Sequence, residues 1–109
     1  MDLDKDTQEK VKELQFLEQN LNNLLMQKQA FQIELTETEN AMTEMTKAKD
    51  DVYKLMGNIL IKSDKTKIEE ELQKRKDIVS LRMNSIESQE SQLTRQAEAL
   101  KKEVMKRIG

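Results

Sequence analysis

The side chains available for chemistry in this 109-residue chain are almost all carboxylates and amines. There are 21 Asp and Glu and 19 Lys and Arg, but no His and no Cys. The missing residue types exclude the usual zinc sites, His-based acid–base catalysis, thiol chemistry and disulfides. The only internal glycine, Gly57, cannot by itself form a Gly-rich phosphate loop. We therefore expect no enzyme, no metal and no cofactor, because the carboxylates fall in charge runs typical of solvated helix faces.

The charge and hydropathy of the chain restrict the classes of partner that it can bind. The formal net charge is -2 and the two signs are interspersed, so no basic face is available for nucleic acid. No apolar run approaches the roughly 20 residues that cross a bilayer. The opening MDLDKDTQEK also lacks the basic and apolar regions of a signal peptide. These features predict a cytoplasmic protein that has no membrane or nucleic-acid partner.

The elements that position these side chains follow from two heptad seams. With 37% charged and 3% aromatic residues and no Pro, the composition is typical of long helices, and the regular apolar spacing argues against disorder. Steps of three and four residues run from Leu14 to Met45 and meet a polar residue only at Lys28 and Thr38. This 3.5-residue period indicates coiled-coil packing. The apolar members of this first seam are Leu14, Leu17, Leu21, Leu24, Phe31, Leu35, Met42 and Met45.

A second seam runs from Leu72 to Val104 and is interrupted only by Lys76 and Glu90. The phase of the first seam is lost from Ser63 onward, which predicts two helices that fold back on each other rather than one rod. We interpret the polar seam positions as side chains that reach water and fix the register, with a buried functional charge as the alternative. The apolar members are Leu72, Val79, Met83, Ile86, Leu93, Ala97, Leu100 and Val104.

The segment between the seams predicts a β-hairpin around Gly57-Asn58, because both turn positions tolerate positive φ. Its two faces would both be apolar, and an isolated hairpin with two open edges is marginal in water. We therefore predict that hairpins of several chains join in an intersubunit barrel; the alternative is that both faces pack on the adjacent helix ends. One face would carry Val52, Met56, Ile59 and Ile61, and the other Tyr53, Leu55 and Leu60.

The predicted fold is thus mostly α, a long antiparallel two-helix coiled-coil hairpin with one central β-hairpin. The chain forms a single domain, with the first helix at about 4–48, the β-hairpin at 52–62 and the second helix at 64–108. Ser63, Asp64 and Thr66 offer N-cap oxygens to the second helix, and Thr66 with Glu69 fits a capping box.

Apolar residues that the seams do not explain gather near both chain ends, which a fold-back brings together. Val104 lies on the second seam, but its partner would be Lys10, so we expect it to be poorly covered. Two interpretations stay open: a surface that holds other apolar chains loosely, helped by flexible Met, or simple fraying with a local cap between the termini. The residues are Met1, Leu3, Val11, Phe16, Val104, Met105 and Ile108.

The run VYKLMGNILIKSDK, Val52 to Lys65, between two long heptad helices resembles the β class of prefoldin subunits. The heptad arms are unspecific, and the central run carries the likeness. The resemblance implies a chaperone without ATPase activity, in which two α-class and four β-class subunits join through their hairpins. It further implies that the arm tips hold unfolded proteins and pass them to a group II chaperonin. The segments that match those tips are Met1 to Val11 and Val104 to Gly109.

A holdase subunit is accordingly the leading hypothesis, because several weakly binding arms around one cavity raise the effective concentration of contacts. The main alternative is a structural coiled-coil tether that has no client. Replacing Leu55, Ile59 and Ile61 by polar residues separates the two, since only a hairpin-based assembly would fall apart.

Overall fold

The structure, a computed structural model, describes residues 4–49 and 51–109. Helix α1 spans Lys5–Lys47, strands β1 and β2 span Val52–Met56 and Ile59–Ser63, and helix α2 spans Lys65–Ile108. The predicted fold class, two long helices with one central β-hairpin, is confirmed. Within the described ranges, neither helix is long and apolar enough to cross a membrane.

The chain divides into two compact units, and each contains a segment of both helices. The first unit comprises Met1–Gln29 and Asn84–Gly109, and the second comprises Ala30–Met83 with the whole β-hairpin. Each unit therefore has its own apolar core, built from the seam positions of the α1 and α2 segments that it contains.

In the first unit, seam residues of α1 and α2 form the core. Ion pairs between the helices join Lys28 to Glu90 over 3.3 Å and Lys10 to Glu103 over 2.5 Å. Residue numbers rise along one helix as they fall along the other, so the helices are antiparallel, as predicted. The buried apolar side chains of this unit are Leu17, Leu24, Ile86, Ala97 and Val104.

The second unit buries Val79 and Met83 of α2 together with the polar Thr38 of α1. The Thr38 hydroxyl donates to the Glu34 carbonyl oxygen at 2.8 Å, so this buried seam position keeps a partner within its own helix. Among the described side chains, no buried nitrogen or oxygen lacks a hydrogen bond. Arg82 lies over the Phe31 ring, 5.9 Å from its centre, and contributes a cation–π contact between the helices.

The polar seam residues of the first unit pair with each other. Lys28 Nζ lies 3.3 Å from Glu90 Oε1 and 4.0 Å from Glu87 Oε1. Lys28 and Glu90 remain about a third exposed, so the charges stay partly hydrated while the side chains span the two helices. An ion pair at this position favours one register over a slipped one, because slippage would leave both charges without a partner.

Both helices begin at an aspartate cap. Asp4 Oδ1 accepts from the Thr7 backbone N–H at 2.7 Å, and Asp64 Oδ1 accepts from the Thr66 N–H at 3.2 Å. The predicted Thr66 capping box is therefore wrong, because Thr66 is the second residue of α2 and only donates to the cap. Lys65 Nζ donates to the Ala48 carbonyl oxygen at 3.0 Å and satisfies a terminal carbonyl after α1.

The hairpin turn depends on Gly57, whose φ is 60°. No other described residue has a positive φ, so the φ of Asn58 is negative. A glycine at the first central position, followed by a residue of negative φ, matches a type II′ turn. The strands pair antiparallel with Met56 opposite Ile59 and Leu55 opposite Leu60, which confirms the predicted register.

Candidate functional site

The β-hairpin carries a set of apolar side chains that its own chain leaves uncovered. Their exposed fractions run from 44% to 66%, although each belongs to a residue type that usually packs inside a protein. The alternative in which both faces pack on the helix ends is therefore not observed. These residues are Tyr53, Leu55, Met56, Ile59, Leu60 and Ile61, while Val52 at the start of β1 is half-buried.

The pairing register gives the hairpin two apolar faces. Val52, Met56, Ile59 and Ile61 lie on one face, and Tyr53, Leu55 and Leu60 lie on the other, as predicted. Within the described residues the sheet has only these two strands, so each strand has one unpaired edge. Open edges and two apolar faces together make the hairpin competent to add strands from other chains.

One ion pair joins the hairpin to α2, and a second lies at the base of the hairpin itself. Lys54 Nζ lies 3.0 Å from Glu71 Oε2 of α2, and Lys62 Nζ lies 3.3 Å from Asp51 Oδ2 at the base of β1. All four side chains are substantially exposed, so these pairs orient the hairpin more than they stabilise it.

A groove of about 420 Å³ lies beside the hairpin and has a largely apolar lining. Two further apolar residues of the same unit, Ile78 and Leu81, are 48% and 69% exposed on α2 outside the seam. The exposed apolar surface of this unit thus extends beyond the strands. The apolar residues that line the groove are Ala41, Met45, Tyr53, Leu55, Ile68 and Leu72.

The first unit holds the predicted chain-end residues, and the structure separates them into groups. Phe16, Met105 and Ile108 are 63%, 62% and 38% exposed and are here called the chain-end surface. Val11 is half-buried in α1. Met1 and Leu3 lie outside the described residues.

Val104 is only 6% exposed, so the prediction that it is poorly covered is wrong. The physical reason is that Val104 occupies a seam position, while Lys10 directs its ammonium group to the neighbouring Glu103. Val104 therefore belongs to the core of the first unit and is not available at its surface.

Charged residues at the same chain ends form contacts that the sequence reasoning missed. Lys10 pairs with both Asp6 and Glu103, and Arg107 pairs with the same two carboxylates. A hydrogen bond and the charge of Lys10 lower the pKa of Glu103, and a hydrogen bond to Asp6 raises the pKa of Arg107. The i,i+4 spacings of Asp6 with Lys10 and of Glu103 with Arg107 were the available signal.

The Asp4 carboxylate at the start of α1 is also perturbed. Hydrogen bonds from the Thr7 side chain and backbone lower the pKa of Asp4, and the charges of Arg107 and Lys10 add to that effect. Asp4 and Glu103 therefore favour their ionised forms, which is the state that the cap and the Lys10–Glu103 ion pair require.

Comparisons with known proteins agree on one family. The family described as "Prefoldin subunit" matches residues 8–109. Prefoldin subunit beta of Saccharolobus islandicus is 36% identical over 101 residues, which cover 91% of this chain and 80% of the relative. Prefoldin subunit beta of Sulfurisphaera tokodaii is 40% identical over 93 residues, or 84% and 74% of the two chains. The crystal structure of the prefoldin beta subunit from Thermococcus strain KS-1 matches with a TM-score of 0.89 at 28% identity, over 96% of this chain and 94% of that one.

Proposed function

Because the chain belongs to the prefoldin subunit family, a family of chaperone components, we propose that it is a β-class subunit of a heteromeric, ATP-independent holdase. It assembles with an α-class subunit and further copies of itself, in a ratio of two α to four β. The assembly works in the cytoplasm, binds unfolded polypeptides and delivers them to a group II chaperonin.

The observation that carries this proposal is the division of the apolar residues into two sets. Seam residues are buried or half-buried inside each unit, whereas the hairpin and the chain-end surface remain exposed, as do the scattered off-seam residues Leu25, Met26, Ile33, Ile78 and Leu81. A coiled-coil tether has no use for either exposed set. An assembling chaperone subunit needs both, one to join other subunits and one to contact a client.

Assembly is supported by the geometry of the hairpin. Leu55 and Leu60 face each other across the strands and are each 66% exposed. Strands from other subunits would satisfy the open edges and cover both apolar faces, as a closed barrel does.

Client binding is supported by exposed apolar side chains that would each make a weak contact and act together in the assembly. Phe16, Met105 and Ile108 each offer one exposed apolar side chain, too little for a tight site in a single subunit. Several subunits around one client convert such contacts into useful avidity because each later contact is intramolecular. Met105 suits this role since its unbranched side chain adapts to different partners.

The test replaces Phe16 and Met105 with Gln in the assembled complex and measures suppression of aggregation of a chemically unfolded protein. Point substitutions are preferable to deleting the segment from Val104 to Gly109, because Val104 is part of the core. The matched control is Leu25→Gln with Met26→Gln, which removes two exposed apolar residues from α1 of the same unit.

We expect F16Q/M105Q to weaken suppression at unchanged complex mass and helix content, and L25Q/M26Q to behave like the parent protein. Equal weakening in both variants would mean that clients contact exposed apolar residues along the helices, with no special role for the chain-end surface. Unchanged suppression in F16Q/M105Q would remove the client assignment of the chain-end surface and favour the structural tether.

A further inference from the structure

Four side chains at the chain ends form a closed ring of alternating charge. Lys10 Nζ lies 3.9 Å from Asp6 Oδ2 within α1, and Arg107 Nη2 lies 3.8 Å from Glu103 Oε1 within α2. Between the helices, Lys10 pairs with Glu103 at 2.5 Å and Arg107 pairs with Asp6. Each charge therefore has two neighbours of opposite sign, one on its own helix and one on the other.

The ring residues flank the outermost buried residues of the first unit along both helices. Thr7 is the first buried residue of α1 and is 2% exposed, and Val104 is the last buried residue of α2 at 6%. Thr7 lies in the chain between Asp6 and Lys10, and Val104 lies between Glu103 and Arg107. We therefore expect an open ring to expose this layer to water.

The outermost layer itself provides little apolar burial to hold the helix ends together. Thr7 is polar, and Val104 is the only buried apolar residue of α2 after Ala97. Terminal turns open with little free energy, since few contacts oppose fraying. Exposed ion pairs contribute modestly one at a time, but a closed network ties four residues in one step and responds to salt.

We propose that this ring, here called the charge latch, regulates the client-contact role of the chain ends. Closed, it keeps Val104 buried and restricts the apolar surface to the chain-end surface already described. Opened, it adds Val104 and the half-buried Val11, so that the chain ends hold unfolded segments longer. The regulatory step rests on the proposed holdase function, whereas the latch itself is measurable without a client.

The structural test is hydrogen exchange by mass spectrometry on the full-length chain in its assembled form. The latch variant is Lys10→Gln with Arg107→Gln, which removes both cations of the ring. The matched control is Lys12→Gln with Lys106→Gln, which removes two exposed cations of the same helices outside the ring. Peptides covering residues 17–27 serve as an internal reference.

We expect K10Q/R107Q to speed exchange at residues 6–12 and 101–108 by about tenfold and to leave the reference peptides unchanged. The salt concentration provides a second test. Raising NaCl from about 0.05 M to about 0.5 M shortens the electrostatic screening length and should speed hydrogen exchange at the same amides in the parent protein. K10Q/R107Q should not respond to salt, and K12Q/K106Q should match the parent in both arms. Unchanged exchange in K10Q/R107Q would overturn the latch.

The regulatory step is tested with a fluorescent, permanently unfolded protein, such as reduced and carboxymethylated α-lactalbumin, released by dilution. We expect its residence time on the K10Q/R107Q complex to rise about threefold, in line with the added apolar area. Faster exchange with an unchanged residence time would overturn regulation by the ring. If F16Q/M105Q leaves client binding intact while K10Q/R107Q alters exchange, the latch stands and the chain-end client assignment fails.

Discussion

The hairpin offers the sharpest test of how this chain assembles. Leu55 and Leu60 are cross-strand partners, and each is 66% exposed in the single chain. We consider Leu55→Thr with Leu60→Thr. Threonine keeps the strand preference of a β-branched residue and places a favourable Thr–Thr pair across the strands, so the hairpin itself should persist. The change removes most of the apolar area that a neighbouring subunit would cover.

The expected magnitude follows from the exposed area. Burying a whole leucine side chain is worth about 1.5–3 kcal/mol, and about two-thirds of each of these remains to be buried. Each leucine therefore contributes about 1–2 kcal/mol to assembly, and the pair contributes about 2–4 kcal/mol per subunit. Since 1.4 kcal/mol corresponds to a factor of ten, association should weaken by about 30- to 1,000-fold for each subunit contact.

The assay is sedimentation over a dilution series, with native mass spectrometry to identify the species. L55T/L60T should dissociate at much higher concentrations than the parent while far-UV circular dichroism keeps the same helix signal. L25Q/M26Q, which removes exposed apolar residues from α1, should assemble normally. A dissociation curve for L55T/L60T that coincides with the parent curve would show that the hairpin faces are not the assembly interface.

Two further perturbations test the core and the chain ends. Val79 is 1% exposed, so Val79→Ala should lower the free energy of unfolding by about 1–2 kcal/mol, because the loss of two buried methyl groups outweighs the better helix propensity of Ala. Guanidinium unfolding followed by circular dichroism measures this change. Ile78→Ala, at a residue that is 48% exposed, is the control and should have a smaller effect. The lowered pKa values of Asp4 and Glu103 stabilise the fold at pH values above the ordinary carboxyl range, and this contribution is lost as pH falls through the lowered values. The protection of the chain-end amides, taken as the ratio of the intrinsic exchange rate at each pH to the observed rate, should therefore fall as the pH drops below the ordinary carboxyl range, and protection that stays constant there would contradict the assignment.

The helices and the hairpin were predictable because strong local signals agree with the global fold. The 3.5-residue period identifies the buried face of α1 and α2, so that Leu17, Leu24, Val79 and Ile86 are core residues in the structure as in the seams. The turn was predictable because Gly57, which adopts positive φ without strain, lies with Asn58 at the centre of the apolar segment.

The α2 cap could not be chosen from the sequence. Ser63, Asp64 and Thr66 all offer suitable oxygens within four residues, and each would start the helix at a different position. The choice depends on where β2 ends and how the chain leaves the strand, which is a tertiary property. Because β2 ends at Ser63, Asp64 is the residue free to cap.

The charge latch was harder to predict for a similar reason. In a chain with 37% charged residues, i,i+4 pairs of opposite sign are common and most of them only solvate a helix face. The ring requires in addition that α1 and α2 be aligned to within about one residue, since a helix residue rises 1.5 Å and an ion pair spans only a few ångströms. The same alignment explains why the burial of Val104 was hard to predict, because it depends on how the neighbouring Glu103 and Arg107 pair with residues of α1.

The two exposed sets also explain how one short chain combines a stable fold with a capacity to bind. Seam residues need a period of 3.5, which leaves the other helix positions free to be charged, and the mean hydropathy of the chain is accordingly low at -0.84. A helix with this much charge can carry Phe16 or Met105 outside the seam without aggregating, because charged residues lie within three positions on both sides of each one in sequence. In the hairpin, charged residues do not separate the apolar ones, since the apolar residues follow one another from Leu55 to Ile61 and are interrupted only by the turn. Concentrated apolar surface favours permanent association with other subunits, whereas dispersed apolar side chains favour contacts that form and break, and this difference is the physical basis on which we propose assembly through the hairpin and client contact at the chain ends.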